Sequence, residues 1–167
     1  MKRSIRISIM SVVTTCFLLG GIGLADADAS PSMLKGYSFA KPTFVHEHPF
    51  ATAHIVLQVS QGDPARWGLA LSNAQNLLNY FGQEEVQIVI VAFGPGEKMY
   101  LADSPVAEKI AALDAEGVEF DACDNTYKAM TKEMGHPPKL VKQAVIVPGG
   151  IVRIMQLEQH GFDYIKP

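Results

Sequence analysis

Val86-Gln87-Ile88-Val89-Ile90-Val91-Ala92-Phe93-Gly94-Pro95-Gly96 decides how the rest of this chain is read. From Val86 to Phe93 only Gln87 is polar, and most residues are β-branched. A strand with one wet face would alternate apolar and polar residues. This run does not, so it is a strand covered on both faces, as strands of a parallel sheet are. Gly94-Pro95-Gly96 then makes a tight turn. It lacks the Gly-x-x-x-x-Gly-Lys spacing of a phosphate loop and the longer dinucleotide fingerprint, so it gives no ground for nucleotide chemistry.

Toward the amino terminus, His54-Ile55-Val56-Leu57-Gln58-Val59 reads as another buried strand. Asp63-Pro64 starts a helix, with aspartate as N-cap and proline at the first helical position. Trp67, Ala70, Leu71, Ala74, Leu77, Leu78 and Phe81 recur at three- and four-residue steps and give that helix one apolar face. Gly82 stops it.

Toward the carboxyl terminus, Glu97 to Leu101 reads as a short helix. Ser104-Pro105 caps another, with Val106, Ile110 and Leu113 inward, and Gly117 ends it. A strand leads from Val118 to Cys123. Asp124 or Asn125 caps the next helix, which carries Tyr127, Met130 and Met134 to about residue 134. Gly135-His136-Pro137-Pro138 breaks the chain before the strand Ala144-Val145-Ile146-Val147. Pro148-Gly149-Gly150 turns into a helix bearing Ile151, Ile154, Met155 and Leu157, and Phe162 to Ile165 is a short last strand. Strands alternating with helices imply a mostly parallel sheet with helices on both faces.

Residues 1–29 are kept out of that fold. Lys2, Arg3 and Arg6 precede an apolar stretch from Ile7 to Leu24, and Ala25-Asp26-Ala27-Asp28-Ala29 offers small-x-small cleavage sites. This is the layout of a secretory signal peptide, with cleavage expected after Ala29; an uncleaved anchor is the alternative. Residues 30–50 read as an extended arm, and 51–167 as one α/β domain. Removing a leader with three basic and two acidic side chains takes the formal net charge from −3 to −4. A mildly acidic product without a basic run is a poor partner for nucleic acid or anionic membrane. The expected product is exported, into the periplasm of a Gram-negative source, with no membrane attachment after cleavage.

Cleavage also removes Cys16 and leaves Cys123 without an intramolecular partner. It stands at a strand end just before a helix, where the partial positive charge of the helix amino terminus favours a thiolate. Functional groups of α/β proteins gather at the carboxyl ends of the strands. The turns Ser60 to Asp63, Gly94 to Gly96, Cys123 to Asn125 and Pro148 to Gly150 all fall on that edge. Against this stands the ordinary role of a lone cysteine as a small buried hydrophobe. His46 and His48, with His54 further on, are spaced for a metal on an extended chain, but proline comes at once after them and no cysteine is near. No metal and no cofactor is expected.

The motifs also form a recognisable order. Asp63-Pro64-Ala65 after a strand is followed by Val91 to Gly96, then by Ser104-Pro105-Val106. Val118 to Thr126 and Val147-Pro148-Gly149-Gly150-Ile151-Val152-Arg153 complete it. From about Ala51 to Pro167 this set resembles the DsrE/DsrF-like family of small sulfur-relay proteins. The resemblance implies a compact three-layer α/β/α domain (flavodoxin-like or DsrE-like) with about five strands, assembled into homo-trimers or hexamers. It also implies that Cys123 carries sulfur as a persulfide, as a sulfurtransferase-like carrier, between a donor and an acceptor thiol or protein. Related chains often have glycine after the cysteine where this one has Asp124, whose carboxylate opposes a thiolate.

The sequence supports two functional readings. In the first, Cys123 holds sulfane sulfur, supported by Asn125, Thr126, Gly94, Gly96 and His136. In the second, the protein is a non-catalytic oligomeric binding or assembly module with Cys123 buried.

Overall fold

A computed structural model describes residues 31–167, so the expected signal peptide lies outside the described residues. Five strands form one sheet in the order β4-β3-β2-β1-β5. They are β1 (Ala53–Val59), β2 (Val86–Ala92), β3 (Glu119–Cys123), β4 (Ala144–Val147) and β5 (Asp163–Ile165). Every pairing is parallel. Helix α1 (Pro64–Phe81) joins β1 to β2. A 3₁₀ turn (Gly94–Tyr100) and α2 (Ala107–Ala115) join β2 to β3. Helix α3 (Asp124–Met134) leads to β4, and α4 (Gly150–Gln159) leads to β5.

β2 lies at the centre of the sheet and is buried at every position, as its unbroken apolar run requires. Side-chain alternation then divides the core in two. Ile55, Leu57, Ile88, Ile90, Phe120 and Ile146 pack on one face with Trp67, Leu71, Ile110 and Leu113 of α1 and α2. Val56, Val89 and Val91 pack on the other with Ile154, Leu157 and Phe162. The result is the expected three-layer α/β/α arrangement.

Local signals explain where α1 begins and ends. Asp63 Oδ1 accepts the Ala65 N–H at 2.9 Å, Pro64 occupies the first turn, and Gly82 at φ +91° closes the helix. Helix α2 starts later than expected, at Ala107 with Val106 in the cap position. The Ser104 carbonyl accepts the Ala107 N–H, so Ser104-Pro105 shapes the preceding turn instead.

The arm lies on its own domain. Leu34 N–H donates to Ile146 O and Ile146 N–H to Ser32 O, both at 2.8 Å, so residues 32–34 cover the open edge of β4. Further along, Phe44 stacks on Phe162 at 5.7 Å between ring centroids.

Helix α4 turns polar as well as apolar side chains inward. Ile154 and Leu157 are buried, but so are Arg153 and Gln156, while Ile151 and Met155 are half exposed. The cause is on β3, where Glu119 and Asp121 alternate with apolar neighbours and both point at α4. Arg153 Nε donates to Asp121 Oδ2 at 2.7 Å and its Nη2 to Glu119 Oε1 at 2.9 Å. A helix facing two buried acids must bring a cation inward, and its apolar residues are displaced outward.

Candidate functional site at the carboxyl edge of the sheet

β1 and β2 both end at this edge, and the turns beyond them must pack closely. Gly94 adopts φ +55°, a backbone region that disfavours side chains, and its N–H donates to Thr126 Oγ1 at 2.8 Å. A Cβ on Gly96 would lie 2.4 Å from the Val59 carbonyl oxygen, so only glycine lets the turn rest on the end of β1. A Cβ on Gly149 would lie 3.7 Å from Asn125 Nδ2, which brings the β4–α4 turn to the same place. Gly94 and Thr126 are thus bonded, and Asn125 lies against the β4–α4 turn, close to where β3 ends at Cys123.

β3 runs into α3 without a loop, and Cys123 itself takes the cap position. Neither Asp124 nor Asn125 caps the helix. Asp124 is its first residue and pairs with Lys128 one turn on. The bond at this helix start comes from another element. Glu97 Oε2, in the 3₁₀ turn, accepts the Cys123 N–H at 2.9 Å.

Glu97 is fully buried, and its second oxygen, Oε1, has no hydrogen-bond partner. Burial pushes its carboxyl up from the ordinary 4.5 to about 8. The Cys123 amide and the Thr126 hydroxyl favour the charged form and Asp124 opposes it, but desolvation prevails. At neutral pH the group beside the cysteine is thus mostly a neutral acid. Cys123 is the free cysteine of the described residues and is 6 % exposed. A groove of about 380 Å³ runs along the first turns of α3, lined by Gly94, Pro95, Lys98, Asn125, Thr126 and Met130, among others, and Cys123 is not part of its lining.

His136 is elsewhere. It comes after an eleven-residue helix whose first residue adjoins Cys123, so it lies roughly 16 Å or more along the axis. It is exposed and contacts the carbonyl of its neighbour Pro137. The other histidines go to separate partners. His46 Nε2 pairs with Asp114 Oδ1 at 3.0 Å, His48 Nε2 with Gly117 O at 3.1 Å, and His54 packs edge-on against Phe162. Among the described residues no group of three or more His, Cys, Asp or Glu is placed to hold a metal ion.

The topological switch, where β5 returns beside β1, is the usual ligand crevice of such sheets. Here the cleft between Val59, Arg66, Lys166 and Pro167 holds only about 10 Å³. The switch point is therefore nearly closed.

Sequence reasoning missed Glu97 and Arg153. An isolated acid in a short turn gives no sign of burial, and only its place before buried Met99 and Tyr100 hints at it. Arg153 had a readable signal. The alternation Glu119-Phe120-Asp121-Ala122 puts two acids on one strand face, and a buried face of that kind needs a cation opposite.

No family model matches the chain, and no curated protein does. A solved structure of a protein of unknown function, MTH1491 from Methanobacterium thermoautotrophicum, is similar to it. The two share 29 % sequence identity at a TM-score of 0.62, over 69 % of this chain and 99 % of that one. That likeness supports the α/β fold. Among the described residues no helix is long and apolar enough to cross a membrane.

Proposed function

We propose that this protein is a sulfur carrier of the DsrE/DsrF-like kind, holding sulfane sulfur on Cys123. The observation that carries the reading is the placement of the free thiol. Cys123 ends β3 at the functional edge of the sheet and opens α3, whose first-turn N–H groups, those of Asn125 and Thr126 included, have no intrahelical acceptor. Such a terminus stabilises an anion. The glycine turns bring backbone, not side chains, against it.

In the loading step the Cys123 thiolate attacks the outer sulfur of a persulfide or polysulfide donor. A new S–S bond forms on Cys123 as the donor's own S–S bond breaks. The bonding pair leaves on the donor thiolate, which takes a proton from solvent, and no net oxidation occurs. Delivery repeats the exchange, with an acceptor thiolate attacking the sulfane sulfur and Cys123 as the leaving group. The protein is exported in this reading, and its partners are the donor and an acceptor thiol or protein.

A second reading rests on a different observation. Ile151, Val152 and Met155 expose 52, 44 and 49 % of their surface on one side of α4. An unpartnered apolar helix face of this kind suits contact between copies of the chain, as a homo-trimer or hexamer. It serves a carrier and a non-catalytic assembly module alike, and transfer separates the two. Protein loaded with polysulfide and then desalted is expected to pass sulfur to a small acceptor thiol, and Cys123→Ser to pass none. Equal transfer by both proteins sinks the carrier mechanism.

A further inference from the structure

The buried carboxyl of Glu97 has no task in sulfur exchange as written, yet it is bonded to the backbone of the residue that performs it. It accepts the Cys123 N–H at 2.9 Å, is shut off from solvent, and leaves Oε1 unpaired. A buried polar atom without a partner is costly to keep. A glutamine here would make the same bond to Cys123 without a titrating proton.

We propose that Glu97 is a positioning residue that sets the pH window of Cys123, holding the amino end of α3 in place and changing the charge beside the thiol when its own proton leaves. This rests on the reading of Cys123 as the reactive group. In the neutral form Glu97 accepts the amide bond and adds no charge, so the partial positive charge of the α3 terminus acts on the sulfur unopposed. In the ionised form the same bond brings a negative charge within one residue of the thiolate, in surroundings that screen it poorly. The change falls at about pH 8, the value to which burial raises the group.

The other groups that face Glu97 come from α3, β3, its own turn, β2 and α1. On α3, Asp124 is near and pairs with Lys128. On β3 the neighbour is Cys123 itself. On its own turn Tyr100 senses the carboxylate, but burial holds that phenol well above its ordinary value, and its hydroxyl donates to Ile90 O. The buried faces of β2 nearby and of α1 bring apolar side chains. Thr126 is the modulator, since its hydroxyl favours the charged form of Glu97.

The test is the rate at which Cys123 of the mature chain reacts with iodoacetamide between pH 6 and 10, for wild type, Glu97→Gln and Thr126→Val. Sulfur loading by polysulfide is measured on the same samples. Below pH 7 wild type and Glu97→Gln are expected to agree within about twofold. At pH 9 the wild type is expected to lag by about threefold to tenfold. In Thr126→Val the onset of the lag moves to higher pH, which keeps the test open if Glu97→Gln does not fold. Coincident profiles for all three proteins overturn the proposal. So does a cysteine that reacts only after unfolding. A lag without sulfur loading removes the carrier reading and leaves the role of Glu97 standing.

Discussion

Strand β3 is bordered by two sets of buried acids, and they are built on opposite terms. On its α4 face Glu119 and Asp121 meet the Arg153 guanidinium, which also donates to Gln156 Oε1 at 2.8 Å and to the Thr43 carbonyl at 2.9 Å. At its carboxyl end Glu97 meets an amide and a hydroxyl but no cation. The first cluster fastens chain to chain. Glu119 Oε2 accepts the Val45 N–H at 2.6 Å, Gln156 Nε2 donates to Ser38 O and Arg153 Nη2 to Thr43 O, so three of its members clamp the arm. The second holds the amino end of α3 and lies beside a thiol. Each cluster leaves one carboxylate oxygen without a hydrogen-bond partner, Asp121 Oδ1 in the first and Glu97 Oε1 in the second, and what separates them is the cation that only the first has.

The sharpest way to break the comparison is to remove the cation. Arg153→Met is expected to cost about 3–5 kcal/mol near neutral pH, because two acids stay buried without it and the arm loses a clamp. Burial raises both carboxyls and Arg153 opposes the rise, so without it they hold their protons more tightly. The loss is then smallest near pH 5 and grows as pH rises. Chemical denaturation at two pH values measures this, and a loss that does not depend on pH would show that Arg153 acts through packing alone.

Glu97→Gln is expected to act in the other direction and by less. A carboxyl at about 8 in the fold and 4.5 when unfolded binds more protons in the native state. Stability from this group is therefore whole below pH 4.5 and is lost as pH rises toward 8. The variant should remove that slope and gain stability at pH 8 to 9, by at most a few kcal/mol. Parallel denaturation curves for wild type and variant across this window would contradict it.

The smallest effect concerns the histidines. Since His46 and His48 bond to separate partners and His54 packs on Phe162, Zn²⁺ added to the mature protein is expected to leave its melting temperature unchanged. A rise reversed by a chelator would bring back the metal reading.

The fold was legible because its signals are local. The unbroken apolar run of β2, the Asp63-Pro64 start of α1 and the glycine stops each depend on neighbours in sequence. Cys123 and the turns around it were legible for the same reason, since a strand end before a helix fixes an edge. Glu97 was not, because its burial is decided by β3 and α3, 26 residues away for the amide it holds. The inward face of α4 was hidden on similar grounds. Ile151 and Met155 fit an apolar stripe, but the stripe was set by the acids of β3, and pairing across the core outweighed hydropathy along the helix.

The central claim is that Cys123 is a working thiol within the native fold. Intact mass of the mature protein before and after polysulfide, beside Cys123→Ser, tests it most directly. Added mass in whole sulfur atoms on the wild type alone, removed by a reductant, is the predicted result. No added mass on folded wild type, with Cys123 reachable only in denaturant, would contradict the account and make the cysteine part of the core.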